Sequence, residues 1–229
     1  MSGRWRLAVG LAALWVLACG GLVLAGWPSY WRYIASEQTP MTWLQSVVLV
    51  VAGCASALVA LLAARIGDRD GRPWWLLAVG FSVLALDERF ALHERVRDGY
   101  LAPRGVTVPF LPWVAPGDFV VLTIALVGLA ALPLVWRGVG DDVWARRALV
   151  LGVVLAVASV GLDSVDPATW SVAQERLQQS GEEMVELGSG LALLAAVLLR
   201  LVSVLAGLVP ASIPERVPAA SPTAERSQG

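Results

Sequence analysis

Residues 41–64 read MTWLQSVVLVVAGCASALVALLAA and contain no charged side chain. A helix rises 1.5 Å per residue, so this run would be about 36 Å long as a helix. The hydrocarbon core of a bilayer is only about 30 Å thick. The stretch therefore predicts a membrane-spanning helix, and it places the chain in the all-α class of polytopic transmembrane bundles.

The composition of the whole chain agrees with lipid as its main surroundings. Of the 229 residues, 57% are hydrophobic and 15% are charged, with a mean hydropathy of +0.69. Soluble domains carry about 25% charged residues. The net charge of −1 gives no basic surface for nucleic acid, so we expect membrane lipids as partners and no nucleic acid. None of the 17 basic residues is lysine, which is typical of a GC-rich bacterial genome.

Several further segments resemble 41–64 in length and hydropathy. We predict about six spans, at residues 7–27, 41–64, 74–94, 118–136, 147–163 and 183–207. Arginines in compact turns place those turns, and both termini, in the cytoplasm of a bacterial inner (cytoplasmic) membrane. The tail 208–229 is rich in Pro, Ala, Ser and Glu and is predicted to be disordered.

The first apolar segment allows two interpretations. Arg4-Trp5-Arg6 followed by an apolar run is typical of a cleaved signal peptide, but the run continues to Trp27 and favours an uncleaved helix. Cys19 and Cys54 lie within apolar runs and are predicted to be small buried hydrophobes. They form neither a disulfide framework nor a zinc motif.

Acidic residues recur at one depth of the predicted bundle. Asp87 lies about 20 Å along the third helix from Trp74, and Glu186 lies about 21 Å from Arg200 on the sixth. Both are therefore expected inside the outer leaflet, on the extracytoplasmic side. Ionised groups inside a membrane cost several kcal/mol and normally face partners in the bundle interior. The acidic cluster should need a counter-charge.

Helix geometry suggests which acids face one another. On a continuous third helix, Asp87 and Glu94 lie about 20° apart, while Glu88 and His93 flank them unless the helix bends after Leu92. Glutamates from Glu175 to Glu186 form a stripe on the sixth helix. That helix is expected to begin early, near Asp166-Pro167.

Carboxylates with one imidazole suit hard or borderline divalent cations. We predict a site for Mn²⁺, Fe²⁺, Mg²⁺, Ca²⁺ or Zn²⁺, with Glu88 and Glu182 as candidate general bases. The predicted metal ligands are Asp87, His93, Glu94, Glu183 and Glu186. Two simpler interpretations stay open: Asp87 or Glu186 is paired with Arg89, and His93 is a surface histidine paired with Glu94 or solvated.

Two motifs carry a resemblance: Leu86-Asp87-Glu88 with His93-Glu94, and Glu182-Glu183-Met184-Val185-Glu186. They resemble the D-E-x4-H-E and E-E-x-x-E segments of a group of uncharacterised bacterial polytopic membrane proteins, which implies a shared site. Leu86-Asp87-Glu88 is also similar to a segment of the alkaline ceramidases, membrane zinc hydrolases that use three histidines. This chain has one.

Three classes of function remain open on sequence alone. The first is a metal-dependent membrane hydrolase or oxidoreductase that acts on a lipid-like substrate. The second is a proton- or cation-coupled transporter, although the inner halves of the helices carry no charge. The third is a non-catalytic sensor or assembly factor. One histidine excludes bis-histidine haem within the chain, and substrate and oligomeric state stay open.

Overall fold

The chain folds into α-helices, in a computed structural model that describes residues 3–36, 38–65, 71–110, 114, 119–165 and 170–208. The helices are α1 (Gly3–Gly26), α2 (Trp31–Ile34), α3 (Pro40–Arg65), α4 (Arg72–Phe90), α5 (Leu92–Val96), α6 (Phe119–Val139), α7 (Val143–Asp163) and α8 (Val172–Leu208). After α5, a π-helical turn spans Arg97–Leu101 and a 3₁₀ turn spans Ala102–Arg104. The all-α class is confirmed, and the described residues contain no strand.

Five of these helices, α1, α3, α6, α7 and α8, are long and apolar enough to cross a membrane. The remaining long helix, α4, includes Asp87, Glu88 and Arg89 in its last turn, which makes it less apolar. The helical bundle is therefore consistent with the predicted fold. The sixth span, which corresponds to α4, stays a prediction.

Helices α3 and α8 lie at the centre of the bundle. Each approaches a neighbouring helix closely at a glycine, which lies on α7 in the contact with α8 and on α3 in the contact with α4. A Cβ at Gly152 on α7 would lie 2.7 Å from the Leu193 side chain on α8. A Cβ at Gly53 on α3 would lie 3.3 Å from the carbonyl oxygen of Ala78 on α4. Such short approaches require glycine, because any larger residue would displace the neighbouring helix.

The six long helices alternate in direction. Gln178 and Ser189 of α8 bond to the carbonyl oxygens of Leu162 and Gly152 of α7, so these two helices run antiparallel. Gly53 of α3 lies against Ala78 of α4, and Gly71, just before α4, lies near Ala60 of α3, so α3 and α4 run antiparallel. The contact of Gly138 with Pro73 places the end of α6 beside the start of α4. One end of the bundle therefore holds the start of α1 and the end of α8. We call it the basal end, and the opposite end the acidic end.

Three side chains from α1, α8 and the start of α7 form a hydrogen-bonded network at the basal end. Arg4 lies 3.3 Å from Asp142 and donates to the Ser203 hydroxyl at 3.1 Å. Ser203 in turn donates to Asp142 at 2.6 Å. Asp142 also accepts the backbone N–H groups of Trp144 and Ala145, and so caps the start of α7. The network joins α1, α7 and α8 at one level.

Two details of the predicted helices are wrong. The predicted third helix, 74–94, is not continuous, because Ala91 adopts a left-handed conformation (φ 47°, ψ 50°) that ends α4 and starts α5. Cys19 is buried as predicted, but Cys54 is exposed, since α3 packs its other faces against α4 and α8.

The last helix begins early, as predicted, at Val172 and well before the apolar span 183–207. Asp166 and Pro167 lie outside the described residues, as do residues 209–229 of the predicted tail. The described helix begins at Val172, where the Ser171 N–H and hydroxyl donate to Gln174 Oε1. The Gln174 N–H returns a bond to the Ser171 hydroxyl at 3.4 Å. This reciprocal pair is a capping box, which satisfies donors at the helix start.

Candidate functional site

Gln45 connects α3 to α8 at the acidic end of the bundle. Its Nε2 donates to the backbone oxygen of Glu183 at 3.1 Å and to the Glu183 carboxylate at 3.0 Å. From the contacts of Gly53, residues 44–48 of α3 lie level with Asp87 of α4. Asp87 and Glu183 therefore lie at a similar level, each beside α3.

Asp87 binds His93 with both of its carboxylate oxygens. Oδ1 accepts the His93 backbone N–H at 2.8 Å, and Oδ2 lies 2.8 Å from the ring nitrogen Nδ1. The left-handed turn at Ala91 makes this possible, because it turns the chain back over the last turn of α4. A continuous helix would place the two side chains about 120° apart around the axis. A bend after Leu92 was one way to bring His93 or Glu88 inward, and the chain instead breaks one residue earlier, at Ala91, where it brings His93 against Asp87.

This contact also corrects the two simpler interpretations. His93 is paired with Asp87, not with Glu94, and about a quarter of its side chain is exposed. Arg89 is exposed and Asp87 takes His93 as its partner, so the proposed Asp87–Arg89 pair is wrong. Because Nδ1 contacts Asp87, Nε2 is the ring nitrogen left for a ligand or a proton.

Glu94 has a partner that the sequence analysis overlooked. Arg97 donates to the Glu94 carboxylate at 3.3 Å and through Nε to Asp98 at 2.7 Å. The hydrogen bond from Arg97 lowers the pKa of Asp98 below its usual range. Asp98 is largely exposed, as predicted for a solvated residue. One arginine thus offsets part of the negative charge of α5 and the turn after it.

Glu182 lies where carboxyl groups from three helices approach. The charged groups that act on it most strongly are Asp163 at the end of α7, Glu186 one turn further along α8, and Glu94 on α5. Its carboxylate also accepts the Gln178 side-chain N–H at 3.1 Å. An amide donor carries no net charge, so it does not offset the repulsion among these acids.

His93 belongs to the same electrostatic neighbourhood. Besides Asp87, the carboxyl groups of Glu94 and Asp163 act on its ring. Electrostatic interactions thus link His93, Glu94, Asp163, Glu182 and Glu186, which lie on α5, α7 and α8. We call these five residues the acidic site.

The other predicted site residues lie beside the acidic site. Asp87 supports His93 from α4, and Glu183 is bonded to Gln45 on α3. Glu88 is half-buried in the last turn of α4, next to Asp87 in sequence. Within the described residues, no three His, Cys, Asp or Glu side chains are arranged so that they could hold a metal ion as they stand.

Sequence reasoning missed four residues that build the site: Gln45, Arg97, Asp163 and Gln178. Gln45 could have been found, since it is the one amide side chain in the run 41–64. Asp163 could also have been found, since it is the acidic residue that ends the predicted span 147–163. Arg97 and Gln178 could have been found as local partners, since Arg97 lies three residues after Glu94 and Gln178 four residues before Glu182. Only the bond of Gln178 to the Leu162 carbonyl depends on the register of α7 and α8.

The fold and the site define a class: an all-α protein with several helices apolar enough for membrane embedding and a group of ionisable residues between them. Residues 6–201 match the family described as Domain of unknown function (DUF8692). The chain belongs to that family, and the match includes all five residues of the acidic site. No curated protein and no solved structure matches the chain.

Proposed function

We propose that this protein is an integral membrane protein that binds a divalent cation at the acidic site, and that the bound ion serves chemistry on a lipid-like substrate. The observation that carries the proposal is the surroundings of Glu182. The charged groups that act on it most strongly are all carboxyl groups, and they come from three different elements. Carboxylates that repel one another are stabilised by a shared cation.

His93 supplies the single nitrogen ligand in this proposal. A metal-binding histidine commonly donates its other ring N–H to a carboxylate, which fixes its orientation. Asp87 occupies that supporting position, with Nδ1 of His93 at 2.8 Å. Asp87 therefore becomes a positioning residue, and the ligands we favour are Nε2 of His93 with the carboxylates of Glu94, Asp163, Glu182 and Glu186.

Binding an ion would require the side chains to move. Glu182 would exchange its contact with Gln178, and Glu94 its contact with Arg97, for the ion. Glutamate side chains can rotate about three bonds, so these exchanges leave the helices in place. An oxygen-rich set with one imidazole suits Mn²⁺, Fe²⁺ or Mg²⁺ better than Zn²⁺.

The chemistry that such an ion supplies is activation of a bound water and polarisation of a carbonyl or phosphoryl oxygen. Glu88 stays a candidate general base, because it is half-buried beside Asp87. In this arrangement Glu182 is a metal ligand and is no longer a candidate general base. A substrate with acyl chains would reach the acidic site from the lipid, between helices.

The decisive experiment is calorimetric titration of the detergent-purified, chelator-treated protein with Mn²⁺. We expect the wild type to bind about one equivalent and Glu182→Gln to bind at least about tenfold more weakly. The matched control is Glu175→Gln, the same change two turns earlier on α8. It should bind as the wild type does. Equal binding by the Glu182→Gln and wild-type proteins would contradict the proposal.

A second candidate, proton binding by a transporter or sensor, rests on a separate observation. The described residues hold no ready set of three metal ligands. A proton needs no such set, and crowded carboxyl groups retain protons readily. If Mn²⁺, Mg²⁺ and Ca²⁺ all fail to bind while Glu182→Gln reduces proton uptake in a pH-jump titration, this candidate replaces the first.

A further inference from the structure

A groove of about 510 Å³ lies between α6 and α7 at the basal end, far from the acidic site. The residues that matter for its chemistry come mainly from one face of α7, with one aromatic ring from α6. They are Trp136, Arg146, Arg147, Val150, Leu151 and Val154. Their spacing of three and four residues puts the α7 members on one helical stripe.

The part of the groove away from the basal end is apolar. Val150, Leu151 and Val154 are 47%, 54% and 58% exposed, although α7 is one of the helices apolar enough to cross a membrane. Such a surface on a spanning helix is suited to contact with acyl chains. The groove therefore offers a hydrocarbon chain a path along the helix.

The part nearest the basal end is cationic. The Arg146 guanidinium lies 5.2 Å from the Trp136 ring, and the Arg147 guanidinium lies 5.5 Å from the Trp144 ring. Arg146 also donates to Asp141 at 3.0 Å, but that carboxylate is fully exposed. The Nε atom of Arg146 is buried and makes no hydrogen bond within the described residues. Exposed ion pairs contribute little, so Asp141 competes weakly for this arginine.

We propose that this groove binds an anionic phospholipid of the surrounding bilayer. The phosphate would lie on Arg146 and Arg147, whose guanidinium groups bind phosphate oxygens in pairs. One acyl chain would follow Val150, Leu151 and Val154. Along the groove, the two arginines are followed by apolar side chains. A phospholipid has the matching arrangement, with its charged headgroup at one end and its acyl chains beyond it. Basic pockets between spanning helices recognise lipids in this way.

The test is native mass spectrometry of the full chain in detergent, titrated with phosphatidylglycerol or with phosphatidylcholine. We expect one phosphatidylglycerol to bind with clear preference over phosphatidylcholine. The double variant Arg146→Gln/Arg147→Gln should weaken that binding at least about tenfold. The double variant Arg95→Gln/Arg104→Gln removes the same charge at the other end and should bind as the wild type does.

A second variant keeps the test usable if the arginine variant folds poorly. Leu151→Trp fills the apolar wall and should weaken phosphatidylglycerol binding while both arginines remain. Val127→Trp, on an exposed face of α6, is its control. Equal binding of the two lipids, full binding by the arginine variant, or displacement of the lipid by an equal concentration of inorganic phosphate would each overturn the proposal.

Discussion

Asp142 is the residue whose protonation should affect the fold most directly. Burial raises the pKa of this carboxyl, but the hydrogen bonds from Ser203, Ala145 and Trp144 and the charge of Arg4 outweigh burial. The net pKa in the folded protein is therefore below its usual value. The Asp142 side chain is 4% exposed, whereas that of its partner Arg4 is 38% exposed.

The direction of the pH dependence follows from that lowered pKa. A carboxyl with a lower pKa in the folded state contributes stability above its unfolded pKa of about 4, and this is lost as the pH falls through the folded value. We expect the melting temperature of the wild type in detergent to fall below about pH 4 more steeply than that of Asp142→Asn. Parallel curves would contradict this prediction. Asp141→Asn, at a fully exposed carboxyl, should keep the wild-type profile.

At the scale of single residues, the sequence predicts which side chains matter better than how they pair. Asp87, His93, Glu94 and Glu186, which the sequence singled out, lie at or beside the acidic site, and their role as metal ligands stays a prediction. The Asp87–His93 contact was not predictable, because it requires a left-handed alanine, a conformation that non-glycine residues adopt uncommonly. Alanine gives no local signal for it.

The packing of α7 against α8 depends on one glycine. A Cβ at Gly152 would lie 2.7 Å from the Leu193 side chain and 3.0 Å from its backbone nitrogen. The Gly152 carbonyl also accepts the Ser189 hydroxyl at 3.0 Å, which holds the helices at this distance. The neighbour that would have to move is partly backbone, so relief requires a shift of α8.

We therefore expect Gly152→Ala to destabilise the protein by about 1–3 kcal/mol, measured by thermal unfolding in detergent. The control is Gly161→Ala on the same helix, where no atom lies within 4 Å of an added Cβ. That variant should be neutral or slightly more stable, since alanine favours helix over glycine. Similar losses in both variants would mean that helix propensity, and not the contact with Leu193, controls the outcome.

At the scale of elements, apolar runs predicted where helices are, but not their full length. The predicted last span, 183–207, is the apolar part of a helix that extends from Val172 to Leu208. Its first turns are polar and contact other elements: Arg176 lies 4.3 Å from the Trp31 ring of α2. Hydropathy alone does not show that such a stretch is helical.

Across the whole molecule, alternating helix directions support the predicted topology. Arg4 and Ser203 are in contact, so the start of α1 and the end of α8 lie at one end of the bundle. We predict that this basal end is cytoplasmic, that α4 crosses the membrane as a sixth span, and that the loop near Arg104 is extracytoplasmic.

Reporter fusions in the full chain test that arrangement. Alkaline phosphatase inserted after Arg104 should be active, since it folds only outside the cytoplasm, and a fluorescent protein fused at Gly229 should fluoresce. Alkaline phosphatase inserted after Arg65, between α3 and α4, should be inactive, and phosphatase activity at both Arg65 and Arg104 would show that α4 does not cross. Which end is cytoplasmic could be predicted only weakly, because arginines occur on both sides of the predicted membrane.

The contact between Asp87 and His93 also has a consequence for how this protein can evolve. One oxygen of Asp87 is committed to the backbone N–H of His93 and the other to its ring. The backbone bond is available to any non-proline residue at position 93, so a lineage could replace His93 and keep the turn. Loss of Asp87 would remove the turn's support and the ring's orientation in a single step. The two positions are therefore expected to be lost in a fixed order, the histidine before the aspartate.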